Sequence, residues 1–382
     1  MRKIKILQFP IAASNGGITH YAVENWKWMD KDRFQCDFAT MSPNLPFADE
    51  LKRMGSEIYY ISTYAEDNIE RFIKEFEHIL SKNYDVVHLH TKQWKSITVE
   101  ELCKKHGVPM VIVHAHSTKC DNNDAKTRET ETQAHIRIRN ELKKDMATDY
   151  WACSSEAGKW LCGENILSDV KIMKNAIDVD KFSFNLSVRN QLREHYGITN
   201  KTVIGNVGRL VYQKNHEFLL RAFAKAKDCR DDLVLCIVGD GPLRTELESL
   251  TRELGISEDI IFAGDKYNVN EYYQMFDLMV LPSRFEGLGI VLVEAQAAGL
   301  RCLAADNIPK EVQITNLVKY FPLNIDVWVN EMTKYNCCEN RVNMKQIMTN
   351  KGFDIKSQII IVENEYLRST EQRYDKGRAE NE

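Results

Sequence analysis

Short, nearly continuous apolar runs recur at 4–9, 86–89, 110–113, 203–207, 233–238, 260–262 and 278–281, with helical spacing between them. Runs that do not alternate strictly suit strands covered on both faces, so the pattern predicts parallel sheets flanked by helices. Two such series stand on either side of a polar stretch at 180–200, which holds Asn185, Ser187, Arg189 and Asn190 and follows a last strand expected at 170–173. The linker is expected there. The reading is therefore of two doubly wound α/β domains, 1–182 and 183–353, with a helix and tail at 354–382. Asp354 suits an N-cap, and Ile355, Ile359, Val362 and Tyr366 share one helical face, which needs a surface and is expected to find it on the N-terminal domain. The polar end from Ser369 onward reads as a frayed terminus.

Composition narrows the classes. At 382 residues, with 43% hydrophobic and 28% charged residues, the chain fits two ordinary globular domains and neither a disordered nor a fibrous class. A net charge of -4 argues against nucleic acid as a partner, because phosphate-backbone binding needs a basic footprint. The ten cysteines include no Cys-x-x-Cys spacing and are expected to be reduced and mostly buried. The start of the chain reads as a strand, not as a secretory leader, and no apolar run approaches the roughly 20 residues of a membrane helix. A cytoplasmic location is expected, with any membrane contact peripheral.

Three loops hold candidate chemistry. Gly16-Gly17 lies between a strand and a helix expected near Thr19, where glycine lets a ligand approach the backbone; a plain turn explains the pair equally well. In the segment Gly205-Asn206-Val207-Gly208-Arg209-Leu210-Val211-Tyr212-Gln213-Lys214-Asn215, Arg209 and Lys214 stand at the carboxyl end of a strand, where open α/β sheets bind ligands and two cations suit a diphosphate. A solvated basic loop is the competing reading, and Asn215 is expected to cap the next helix. The third segment, from Pro282 to Ala295, places Gly287 and Gly289 before a helix whose positive end favours phosphate. Glu286 precedes that turn and Glu294 lies within the helix. A buried carboxylate without a partner is costly, so Glu294 is either bonded to protein or kept for a ligand.

Glu286 and Glu294, spaced Glu-x7-Glu, together with the cations Arg209 and Lys214, resemble the signature of the GT-B, family 4 glycosyltransferases. The similarity extends through Val113-His114-Ala115-His116-Ser117, Lys174-Asn175-Ala176-Ile177-Asp178 and Gly239-Asp240-Gly241-Pro242-Leu243, and is nearest to capsule and exopolysaccharide enzymes. The resemblance implies two Rossmann-like domains facing a central cleft and transfer of a sugar, with retention, from a nucleotide diphosphate, preferably a UDP-sugar. It implies that Arg209 and Lys214 hold the diphosphate, that Glu286 contacts the donor sugar and that Glu294 binds the ribose. It further implies that Gly208 and the backbone of Gly287, Leu288, Gly289, Ile290 and Val291 cradle phosphate, that Gly16 and Gly17 close over the phosphates, and that His116 lies beside the transferred sugar. Catalysis is assigned to His116, Glu286, Arg209 and Lys214. Arg301 departs from the family pattern, where proline is usual.

No cofactor and no metal is expected. His88, His90, His114 and His116 end two strands, but His-x-His twice supplies no carboxylate or thiolate shell for an ion. Asp178-Val179-Asp180 mimics an acidic metal motif only in spacing. The expected acceptor, again by resemblance, is a lipid-linked saccharide; eleven Lys/Arg against seven Asp/Glu across 92–144, among them Lys92, Lys95, Lys104, Lys105, Arg137, Arg139, Lys143 and Lys144 beside Trp94, could meet anionic headgroups or form an ordinary solvated face. Two alternatives stay open: a sugar-nucleotide epimerase of the same architecture, and a catalytically silent carbohydrate-binding homologue. A nicotinamide dehydrogenase lacks its glycine fingerprint here.

Overall fold

In the computed structural model, residues 2–13, 16–336 and 340–379 are described, with side chains through residue 369; Cys337, Cys338 and 380–382 lie outside the described residues. The chain forms two units, one of residues up to Cys120, Lys126–Ala176 and the segment from Ile355, the other of Asp121–Ala125 and Ile177–Asp354.

The first unit is a seven-stranded sheet built from β1 (Ile4–Ile11), β2 (Phe34–Thr40), β3 (Ile58–Tyr60), β4 (Val86–Thr91), β5 (Met110–Ala115), β6 (Asp149–Ala152) and β7 (Val170–Ile172), in the order β3-β2-β1-β4-β5-β6-β7. Every pair is parallel. The four expected strands are present: β1, β4 and β5 each run two residues further at the C-terminal end, and β7 ends one residue earlier. β2, β3 and β6 escape an apolar-run criterion for identifiable reasons. β2 carries a buried Asp37, made tolerable by hydrogen bonds from the Tyr84 hydroxyl, the Gln35 amide and the Glu57 backbone N–H at 2.8, 2.9 and 2.9 Å. β3 and β6 have only three and four residues.

Helix Ile355–Ala379 belongs to this unit. Ile359, Val362 and Tyr366 join Ile6, Trp26, Phe34, Phe38 and Trp151 in one core, so the docking expected of that apolar face is observed. The helix continues to Ala379, beyond the point where polar composition alone reads a frayed end, because its first half is anchored in that core.

The second unit is a six-stranded parallel sheet of β8 (Thr202–Val207), β9 (Leu233–Val238), β10 (Ile260–Gly264), β11 (Leu278–Leu281), β12 (Arg301–Ala305) and β13 (Val318–Phe321), in the order β10-β9-β8-β11-β12-β13. The polar stretch 180–200, expected as a linker, instead contributes helix Leu186–His195 to this unit. Arg189, which belongs to that stretch, and Arg193 are buried on the carboxylate of Asp277, which also accepts the Val203 N–H at 2.8 Å. Removing Asp277 would strand two buried guanidinium groups, a loss of about 3–5 kcal/mol for breaking such a pair. Asp178 is spent as the N-cap of helix Val179–Phe182, and Asp180 pairs with Lys345.

Candidate functional site

In each sheet the strand order reverses direction beside the first strand of its series, at β1/β4 and at β8/β11. Ligands of open α/β sheets bind outside the carboxyl ends of strands at such points. The candidate residues of the sequence fall at both.

In the second unit, β8 delivers Gly208 and Arg209, and the short turn Tyr212–Lys214 follows. The turn is tied to the loop after β11: the Arg284 N–H donates to the Gln213 carbonyl at 2.7 Å and the Asn215 side chain donates to the Pro282 carbonyl at 3.1 Å. Asn215 therefore begins helix His216–Cys229 from a left-handed conformation (φ 56°), without the side-chain cap expected of it. A third loop presses on the first. Gly239 has φ +131°, and a Cβ there would sit 2.2 Å from the Gly208 carbonyl oxygen, so only glycine admits this approach.

Glu286 and Lys214 meet. The Lys214 ammonium lies 2.7 Å from Glu286 Oε1, the Ser283 hydroxyl donates to the same oxygen at 2.6 Å, and the Gln213 amide donates to Oε2 at 3.1 Å. Glu286 is buried and Lys214 half-buried, so the carboxylate is held rigidly by three donors. Gln213 and Ser283 were not among the residues singled out in the sequence; only their nearness to Lys214 and Glu286 pointed to them. Arg209 is exposed and makes no ion pair among the described residues.

Gly289, at φ +91°, is the N-cap of helix Ile290–Ala297, with Gly287 and Leu288 buried ahead of it and Val291 in its first turn. First-turn N–H groups lack intrahelical acceptors, so this end carries positive potential. Glu294 is buried in the same helix and accepts from the Tyr273 hydroxyl at 2.7 Å. Burial pushes its carboxyl up to about 7, against the opposing pull of Tyr273, Lys181 and Lys214.

In the first unit, Gly16 is the N-cap of helix Gly17–Trp28, and among the described residues nothing beyond its chain neighbours and its own helix backbone lies within 4 Å of a Cβ built on Gly17. Thr19 closes the loop by bonding both the N–H and the carbonyl of Ala12 at 3.0 and 3.3 Å. Across the sheet, β4 and β5 pair His90 with His114 in register. His88, His90 and His114 are buried, while His116 just beyond β5 is half-buried. Burial drives the first three imidazoles well below their usual range and takes His116 down to about 3, with Lys92 adding to the last shift. All four are neutral at pH 7.

Ring nitrogens of His88, His90 and His114 lie within 4.8 Å of one another, close enough to hold a metal ion. Among the described residues no carboxylate or thiolate bonds to them, so a divalent ion would leave its whole charge buried. Of the basic segment 92–144, Lys104, Lys105 and Lys144 are paired with Asp145, Glu77 and Asp169, and Trp94 is buried with its indole N–H on the Leu161 carbonyl. Among the described residues no helix is long and apolar enough to cross a membrane.

Residues 188–323 match the family model of the glycosyl transferases group 1. The chain is 28% identical to EpsF of Bacillus subtilis, a protein assigned as a glycosyltransferase, over 97% of this chain and 98% of that one. It is 21% identical, over 96% and 97% of the two chains, to the UDP-Gal:alpha-D-GlcNAc-diphosphoundecaprenol alpha-1,3-galactosyltransferase of Escherichia coli. Among solved structures, Anabaena HepE in complex with UDP and glucose superposes with a TM-score of 0.70 at 17% identity, covering 98% of this chain and 99% of that one, which establishes the GT-B fold.

Proposed function

From a chain that is a glycosyltransferase, with a group 1 domain over residues 188–323, we propose a retaining enzyme that moves a sugar from UDP to a lipid-linked saccharide in capsular or exopolysaccharide synthesis. The observation that carries the reading is the Glu286 carboxylate held by Lys214, Ser283 and Gln213 beside a glycine-initiated helix at the β8/β11 switch point. Relatives named for UDP-galactose, for diphosphoundecaprenol-linked sugars and for complexes with UDP support the choice of donor and acceptor class.

As the bond from the anomeric carbon to the leaving phosphate oxygen breaks, negative charge grows on UDP. Arg209, Lys214 and the helix end supply opposing charge where it develops, which is the condition for lowering the barrier. Lys214 enters this role from its ion pair with Glu286, so donor binding shares its charge between the carboxylate and the diphosphate. Glu286 takes the sugar hydroxyls, Glu294 the ribose hydroxyls, and the backbone of Gly208 and of 287–291 the phosphate oxygens. His116 is assigned to the transferred sugar, and Gly16 and Gly17 to the phosphates. Retention follows from attack on the face that UDP leaves, with the departing oxygen accepting the acceptor's proton. Any peripheral contact with an anionic membrane would bring the enzyme to its acceptor.

Glu294 gives this reading a pH signature. Only the carboxylate accepts two ribose hydroxyls, and a group titrating at about 7 is one-tenth ionised at pH 6, so UDP should bind about tenfold more weakly at pH 6 than at pH 8. The sign for stability is opposite: a carboxyl raised in the folded state loses stability as pH rises from its ordinary value to its folded one. Glu294→Gln keeps an acceptor for Tyr273 and removes that penalty. It should raise the melting temperature at pH 8 while weakening UDP binding, measured by thermal melts and titration calorimetry on the same samples. A variant that is less stable and binds normally would remove Glu294 from the site.

Transfer itself is tested by incubating the protein with UDP-sugars, with and without a lipid-linked saccharide. UDP release that requires acceptor, with an extended saccharide of retained anomeric configuration, is expected. An epimerised nucleotide sugar formed without acceptor would make the protein an epimerase.

A further inference from the structure

Six side chains of the first unit form one unbroken line of hydrogen bonds: His116 Nε2 to His90 Nδ1 at 3.0 Å, His90 Nε2 to Gln8 Oε1 at 2.7 Å, Gln8 Nε2 to the Tyr366 hydroxyl at 3.1 Å, that hydroxyl to His88 Nδ1 at 2.7 Å, and His88 Nε2 to His114 Nδ1 at 3.1 Å. The two branches meet at Gln8 and Tyr366, which come from β1 and from the C-terminal helix. Each neutral imidazole has one donor and one acceptor nitrogen, and a phenol has one proton to give. With the buried Tyr366 hydroxyl also giving its proton within the line, choosing the direction of any one bond fixes all the others. The line has only two consistent states. In one, all four histidines carry their proton on Nε2; in the other, all four carry it on Nδ1.

The surroundings select between them. The Gln8 NH₂ donates to Tyr366, and its carbonyl accepts from His90. Tyr366 passes its proton toward His88, and His88 donates to His114. The remaining His114 Nε2–H has no hydrogen-bond partner, and the Tyr21 and Trp151 rings stand nearly perpendicular to the imidazole at centroid distances of 5.0 and 5.9 Å. A bare donor beside aromatic rings is tolerated better than a lone pair would be. At the other end, His116 Nδ1 has no partner among the described residues and belongs to the one half-buried ring of the four.

We propose that Gln8 and Tyr366 are positioning residues that impose one hydrogen-bond direction on the four histidines, holding His116 in its Nε2–H form with Nδ1 free to accept a hydroxyl of the bound sugar. The assignment of the sugar rests on the glycosyltransferase reading above; the direction of the line does not. The C-terminal helix thereby reaches the substrate-facing imidazole through side-chain chemistry as well as packing.

Long-range proton–nitrogen correlation spectra of the full chain labelled at histidine nitrogens read each tautomer at pH 7, with no donor, acceptor or turnover needed. Nε2–H forms for His88, His90, His114 and His116 together are expected. A mixed set, a uniform Nδ1–H set, or a stoichiometric metal ion on these rings in the purified protein would overturn the proposal. Tyr366→Phe keeps the ring packed on Trp151 and removes only the shared oxygen; it should turn His88 and His116 into tautomer mixtures and lower kcat roughly tenfold, the scale of one lost hydrogen bond, with KM for the donor nearly unchanged. Should that variant not fold, the wild-type spectrum decides alone. Absence of glycosyl transfer with the expected tautomer set would sink the sugar assignment and leave the line intact.

Discussion

Lys214→Ala is expected to lower kcat/KM by about a thousandfold, the order found when a group aimed at developing charge is removed from a preorganised site. The loss comes from two sources. The leaving diphosphate forfeits a cation, and Glu286 forfeits one of the three donors that hold it in place. Lys214→Arg should recover only part of the rate, because a planar guanidinium does not place its charge where a compact ammonium does, 2.7 Å from Glu286 Oε1. Steady-state kinetics with a saturating acceptor check the claim, with melting temperatures alongside to separate chemistry from folding. A fall of less than about tenfold in a folded Lys214→Ala protein would mean that the diphosphate is held elsewhere.

Acid should unfold the first unit unusually early. His88, His90, His114 and His116 are neutral in the folded chain because burial pulls their imidazoles down, whereas the unfolded chain protonates them near the ordinary 6.5. The unfolded state thus binds more protons, so the stability is complete above about pH 6.5 and is lost as pH falls. Each such group approaches a slope of about 1.4 kcal/mol per pH unit, and four together about 5 kcal/mol per unit, against a total stability of about 5–15 kcal/mol. Urea midpoints followed through tryptophan fluorescence, with Trp151 stacked on Tyr366 in that core, should fall steeply between pH 6.5 and 5. A midpoint that stays level across that interval would show that the four rings are already charged or are open to water.

How much of this was legible in the sequence depends on where the physics is local. Apolar runs located β9 and β11 to the residue, since strands covered on both faces must be apolar throughout. The helical face of Ile355, Ile359, Val362 and Tyr366 was visible for the same reason. The polar stretch 180–200 misled, because the carboxylate that buries its Arg189 and Arg193, Asp277, stands more than eighty residues away and no local pattern announces it. Asp37 hid β2 in the same manner. At the site, Lys214 and Glu286 were readable as charges on loops after strands, and their meeting is what a shared switch point predicts. Ser283, Gln213 and Tyr273 were not readable, for they act by holding another residue. Gln8 is an amide inside an apolar strand, but its partner Tyr366 lies 358 positions later and only the fold joins them.

The claim on which the rest depends is that the second unit holds a uridine diphosphate through Arg209, Lys214 and Glu294. Thermal stabilisation of the purified protein by UDP, GDP and their sugar conjugates, repeated with Arg209→Ala and Glu294→Ala, tests it most directly. Selective stabilisation by UDP and its conjugates, lost in both variants, is the predicted result. A response that survives in both variants would contradict it by placing the nucleotide on other residues, and no response to any nucleotide would contradict it and favour a silent carbohydrate-binding homologue.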